Sequence, residues 1–130
     1  MYEALTKFIR PLEDGKFYRE RDGGGYPSYS DTALDFMNAV ERFAMECPES
    51  NLTAYGNILA AAGIEISSDS FAAVDIERQS ADIVLAMLTS SMRAERIWEG
   101  AWNAVYESGV MLRILKRLKQ IDEQVRQINP

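Results

Sequence analysis

Apolar residues recur at intervals of three and four along most of this chain, the spacing that lines one face of an α-helix. The pattern is strongest over residues 80–130. There Met111, Ile114, Leu118, Ile121, Val125 and Ile128 are separated by 3, 4, 3, 4 and 3 residues. That heptad seam suits packing of helix on helix. Upstream, Val84, Leu85, Leu88, Met92, Trp98, Ala101, Trp102 and Val105 form a second stripe, with Asp82, Thr89, Arg93, Arg96, Asn103 and Glu107 on the opposite side. Ser80 is the expected cap of this stretch, and Asp82 suits its positive end. Gly100 lies inside the pattern, where glycine costs about 1 kcal/mol relative to alanine and marks a kink or a close helix contact. Ser108-Gly109 is an end signal, so a last helix is predicted from about Val110.

The first half reads as shorter pieces. A helix over 2–10 puts Leu5, Phe8, Ile9 and Leu12 on one side, and Pro11 should end or kink it. Residues 13–29 are expected to be a flexible loop around Asp14-Gly15 and the Asp22-Gly23-Gly24-Gly25 run, with Tyr18, Tyr26 and Tyr29 nearby. No Lys-Ser or Lys-Thr follows the glycines, so this is no phosphate loop. Ser30 or Asp31 can cap a helix carrying Ala33, Phe36, Met37, Val40, Phe43, Ala44 and Cys47, stopped by Pro48. A shorter helix from Asn51 or Thr53 carries Tyr55, Ile58, Leu59 and Ala62, and Gly63 suits its left-handed end. Ile64-Glu65-Ile66 allows a short extended piece, and Phe71-Ala72-Ala73-Val74 a single turn. The predicted class is all-α: one compact helical domain over 1–130, with about five helices and two long C-terminal ones as a spine over 80–130.

Composition narrows the chemistry. The chain of 130 residues is 47% apolar and 26% charged, an ordinary globular balance able to bury a core without staples. It has no histidine and one cysteine, Cys47. That excludes an internal disulfide, a Cys/His zinc site, and Ser-His-Asp or Cys-His nucleophile systems within one chain. No cationic start leads into an apolar run, and no apolar run approaches the ~20 residues of a membrane helix. The expectation is a cytoplasmic protein without membrane contact. The net charge of −6 is unevenly placed: residues 31–77 hold nine acids and only Arg42, whereas 108–130 hold five bases and two acids. Direct nucleic-acid binding is disfavoured, because its affinity comes mainly from neutralised phosphates. The basic last helix alone would attract an acidic surface.

The densest group of candidate side chains is Arg93-Ala94-Glu95-Arg96-Ile97-Trp98-Glu99. Arg93 and Arg96 share a face, and Arg96 can reach Glu99. Glu95 falls on the side of Leu88, Ser91, Trp98 and Trp102, so it is either at the rim of the core or buried with a partner. One reading is a ligand site of Glu95 and a guanidinium beside Trp98 and Trp102. The other is an ion pair that orients a helix junction, with both tryptophans in the core. No catalytic residue, cofactor-binding residue, metal ligand or cofactor is assigned. Leu118, Ile121, Val125 and Ile128 are the candidate interface, since a seam that runs to the chain end needs cover. Helix 2–10 folding back is one cover, and a two-fold homodimer is the other.

Arg93-Ala94-Glu95-Arg96, Glu107-Ser108-Gly109 and the Leu/Lys/Arg-rich run 112–119 together resemble a bacterial family of small domains of unknown function. Tyr26-Pro27-Ser28-Tyr29-Ser30 and Leu52-Thr53-Ala54-Tyr55 are similar to it as well, so the likeness spans about Tyr18 to Asp122. The resemblance implies a mostly helical fold in Gram-positive bacteria, gut species or mobile elements such as phage. It supplies no catalytic residues. The functional expectation is a non-enzymatic interaction module with a protein partner, its own second copy included. The alternative is a small-molecule or nucleotide-binding protein built on Arg93, Glu95, Arg96 and the tryptophans.

Overall fold

A computed structural model describes residues 1–18, 29–47 and 52–128. The Asp22–Gly25 run, Tyr26 and the stop at Pro48 lie outside the described residues, as does the side chain of Ile128. In chain order the helices are α1 (Glu3–Thr6), α2 (Ile9–Glu13), α3 (Asp31–Glu46), α4 (Tyr55–Ala61), α5 (Ser68–Ala73), α6 (Ala81–Ala94), α7 (Ala101–Glu107) and α8 (Val110–Ile128). Single 3-10 turns at Leu52–Ala54 and Ile76–Arg78 lead into α4 and α6. The fold is all-α. Among the described residues there is no strand, only an isolated antiparallel bridge between Tyr18 and Tyr29, and no helix is long and apolar enough to cross a membrane.

Local chemistry accounts for several of the ends. Ser30 caps α3, its Oγ accepting the Ala33 N–H at 3.1 Å, and Ser67 caps α5 through the Ser70 N–H in the same way. Ser80 stands at the cap position of α6 but its side chain makes no cap bond. Gly63 and Gly109 follow α4 and α7 with φ of +73° and +84°, the left-handed conformation that ends a helix most easily on glycine. The predicted helix 2–10 is instead two short helices. Pro11 falls inside α2, in its first turn, where the missing N–H would have had no helical partner anyway. Residues 64–66 form no strand, and the single turn foreseen at 71–74 is α5, starting three residues earlier.

α6 is the central element. Every residue from Val84 to Met92 is buried, including Thr89, Ser90 and Ser91. The pattern had placed Thr89 on the polar side; α3, α4, α7 and α8 surround α6, so no face of the Val84–Met92 stretch is left for solvent. The three hydroxyls are satisfied within the helix: Thr89 donates to the Leu85 carbonyl at 2.7 Å, and Ser90 and Ser91 both donate to that of Met87. α8 lies beside α6 and presents Met111, Ile114, Leu115 and Leu118 to it, all fully buried. Farther along, α8 is joined by α1: the Tyr2 N–H donates to Asp122 Oδ2 at 2.8 Å, and Arg126 pairs with Glu3 at 3.2 Å. The Ile76–Arg78 turn is tied to the other flank by Arg113, which is bidentate on Glu77 at 3.0 and 3.1 Å.

Candidate functional site

The stripe from Val84 to Val105 is broken where one continuous helix was expected. α6 ends at Ala94, residues 95–100 form turns and a bend, and α7 starts after Gly100 at φ +101°. Glu95 holds this junction. Its Oε1 accepts the Tyr29 hydroxyl at 2.6 Å, the Gly100 N–H at 3.1 Å and the Trp102 N–H at 2.9 Å. The carboxylate therefore caps the otherwise unpaired N–H groups at the start of α7. Tyr29 Oη accepts the Asn103 N–H at 3.1 Å, and the Tyr18 hydroxyl reaches Asn103 Oδ1 and Glu107 Oε1. Two tyrosines and two carboxylates thus clamp residues 18 and 29 onto α7. Desolvation, then the carboxylate each one meets, pushes both phenols well above their ordinary range. Phe17 stacks on Tyr106 at 4.1 Å beneath them.

The five residues grouped from sequence do not converge on one site. Among the described residues Glu95 has no guanidinium partner; the helix it was expected to lie on ends one residue before it. Arg93 and Arg96 instead meet Glu41 of α3, at 3.9 and 3.2 Å. These are charge contacts rather than aligned hydrogen bonds, since Glu41 Oε2 and Arg93 Nε are both buried without a hydrogen-bond partner. Arg96 therefore reaches Glu41, not Glu99. Trp102 is core: fully buried, tilted against Phe36 at 5.3 Å, its Nε1 donating to the Ala33 carbonyl. Trp98 is not, at 65% exposed, because it lies in the non-helical stretch 95–100 and so shares no continuous helical face with Trp102. Leu118 is removed from the candidate interface, being buried inside the chain, and Ile121 is half-buried beside α1. Val125 is 47% exposed.

The junction opens a cleft that periodicity did not reveal. Between α5, α6 and α7 lies a cavity of about 170 Å³ walled by Phe71, Ala94, Ala101, Val105 and Val110. Trp98 and Ile66 stand at it, both more than half exposed, and Ile97 next to Trp98 is 92% exposed. Five serines also line it, but four are already engaged. Ser90, Ser91 and Ser108 donate to backbone carbonyls, and Ser67 is the α5 cap. To an occupant the cleft is therefore mainly hydrocarbon. Its size is well below the ~300–1,000 Å³ of a typical ligand pocket and close to the ~150 Å³ that holds one benzene ring in an engineered protein core. It has room for one large side chain.

Residues 2–124 match the sequence model of DUF6508, described as a family of unknown function. The chain belongs to this family. No curated protein and no solved structure matches it. The DUF6508 match takes in the whole cleft and the whole tyrosine–carboxylate clamp, and it stops one residue short of Val125.

Proposed function

We propose that this DUF6508 chain is a non-enzymatic binding module and that the cleft between α5, α6 and α7 is its recognition site. The observation that carries the reading is Trp98: a large amphipathic ring left exposed at the edge of an apolar hole that the exposed Ile66 also lines. Exposed apolar groups gathered at one place mark interaction sites, and buried tryptophan anchors dominate many interfaces. The non-enzymatic reading is supported by the state of the best candidate base. Glu95 already accepts three hydrogen bonds from its own chain, so it is committed to holding α7. Nucleotide binding through Arg93 and Arg96 is disfavoured by their engagement with Glu41. The test is a two-dimensional amide NMR titration with indole. Shifts confined to residues 66–71, 90–110 and their neighbours, and abolished in Trp98→Ala, support the cleft. Scattered shifts, or none to the solubility limit of indole, defeat it.

A second reading has its own observation: Val125 is half-exposed on α8, although the neighbouring Arg126 pairs with Glu3 of α1. Self-association there predicts a dimer at micromolar concentration by ultracentrifugation that Val125→Asp dissociates. A monomer at tens of micromolar removes it.

A further inference from the structure

The segment that carries Trp98 is held from outside the cleft. Glu95 precedes Trp98, and its carboxylate reaches across the turns to the N–H groups of Gly100 and Trp102, at 3.1 and 2.9 Å. One hydroxyl then bridges both sides of the segment: Tyr29 donates to Glu95 at 2.6 Å and accepts the Asn103 N–H at 3.1 Å. Neither Tyr29 nor Glu95 lines the cleft, whereas Trp98 and Ala101, which lie between the tethered positions, do. The segment has little rigidity of its own. Residues 95–100 form turns and a bend, and α7 spans only 7 residues, about half the ~12–15 at which an isolated helix becomes even marginally stable. The Trp102 ring anchors the start of α7 in the core. Before it the main-chain bonds are those of successive turns, the Trp98 N–H to the Ala94 carbonyl and the Ala101 N–H to that of Trp98. The Tyr29–Glu95 pair is what ties residues on the two sides of Trp98 to one another.

Resting on the reading of this cleft as the recognition site, we infer that Tyr29 and Glu95 are its positioning residues: the hydroxyl–carboxylate tether holds Trp98 and Ala101 where they wall the cleft, so that affinity there is set by a contact outside it. With the Tyr29 hydroxyl in place the wall is formed before anything binds. Without it, residues 95–103 adopt other arrangements for part of the time, and affinity falls with the fraction of molecules that keep the wall. Coupling of this kind is reciprocal, so an occupant of the cleft must in turn strengthen the tether. A purely structural role for the pair would lower stability and leave the affinity of the folded molecules as it was.

Indole binding to the full chain, followed by amide NMR and hydrogen exchange, tests this. Tyr29→Phe removes one hydroxyl and keeps the ring, which packs edge-on against Phe17. It is expected to bind indole about fivefold more weakly than the wild type, or weaker still, fivefold being the lower end of usual coupling between sites. Leu118→Val, a change in the core outside both the cleft and the tether, should leave the affinity unchanged. Circular dichroism checks that both variants are folded. In the wild type, indole should slow exchange of the Gly100, Trp102 and Asn103 amides, a measurement that needs no variant. Wild-type affinity in Tyr29→Phe, or an equal loss in Leu118→Val, overturns the inference and leaves the cleft reading standing. Unchanged exchange of those three amides when indole is bound also overturns it. No binding of indole to the wild type overturns both.

Discussion

Glu95 shows how one side chain can set a local structure that its neighbours in sequence do not suggest. Removing it leaves the N–H groups of Gly100 and Trp102 and the Tyr29 hydroxyl without their acceptor. Hydrogen bonds to a charged group are worth about 1.5–3 kcal/mol, and orphaned donors add to the loss. Glu95→Ala is expected to lower stability by about 2–3 kcal/mol in urea denaturation, and Glu95→Gln, which keeps an acceptor oxygen, by less. Equal losses would mean that the charge, not the acceptor, holds the junction. The two tryptophans separate in the same experiment. Trp102→Ala should cost about 3–5 kcal/mol, the usual penalty for emptying a buried aromatic site, and Trp98→Ala under about 1 kcal/mol. In fluorescence, acrylamide should quench Trp98 readily and Trp102 hardly at all.

At the scale of elements, glycines and ion pairs decide where helices stop and how they dock. Gly100 at φ +101° has nothing within 4 Å of the place a Cβ would take, so Gly100→Ala should destabilise by strain alone, about 1–2 kcal/mol. Gly56 also has an open Cβ position but sits in α4 without positive φ; Gly56→Ala should therefore stabilise, by about 0.5–1 kcal/mol. Thermal melts of the two variants should move in opposite directions. The docking of Ile76–Arg78 on α8 predicts an acid limb. The Arg113 guanidinium holds the Glu77 carboxyl down at about 2, against an ordinary 4.5. A carboxyl lowered by folding adds stability that is complete above its unfolded value and lost as pH falls toward the folded one. That contribution should disappear between about pH 4.5 and 2, and Glu77→Gln should flatten this part of the curve. The phenols of Tyr18 and Tyr29 act with the opposite sign. Raised in the folded state, they stabilise fully below their ordinary value of 10 and progressively less above it, so Tyr29→Phe should weaken the alkaline limb of stability.

Across the whole molecule, the arrangement is a central helix, α6, enclosed by its neighbours, with α8 along one side. The described N-terminal residues are secured at both ends of this frame. Tyr2, Glu3 and Arg126 join α1 to the far end of α8. Phe17, Tyr18, Tyr29 and Tyr106 join the clamp to α7, with the Tyr106 hydroxyl donating to the Leu12 carbonyl at 2.9 Å. These contacts close over long sequence separations, so the N-terminal part should unfold with the rest. Native-state hydrogen exchange should give the α3 and α6 amides the global stability, with no separate early opening of α3; a much lower value for α3 would show that the clamp couples only weakly.

How much of this was legible in the sequence depends on the range of the interaction involved. Helix spans near strong local signals were readable: α3 ends one residue from its expected limit, Gly63 and Gly109 end their helices, and the apolar residues of α8 face inward as far as Leu118. Local propensity, capping and a 3.6-residue period are properties of the chain itself, and they also sufficed for the all-α class. What they cannot state is which helix is surrounded, because that depends on partners distant in sequence; Thr89 looked solvent-facing until four helices met around it. The break at residues 95–100 was marked only by Gly100, and its consequences followed from Tyr29, far upstream, supplying a hydroxyl to Glu95. That single contact, with the main-chain N–H groups of α7, decided that Glu95 is a cap, that Trp102 is core, and that Trp98 is left at the edge of an apolar cleft.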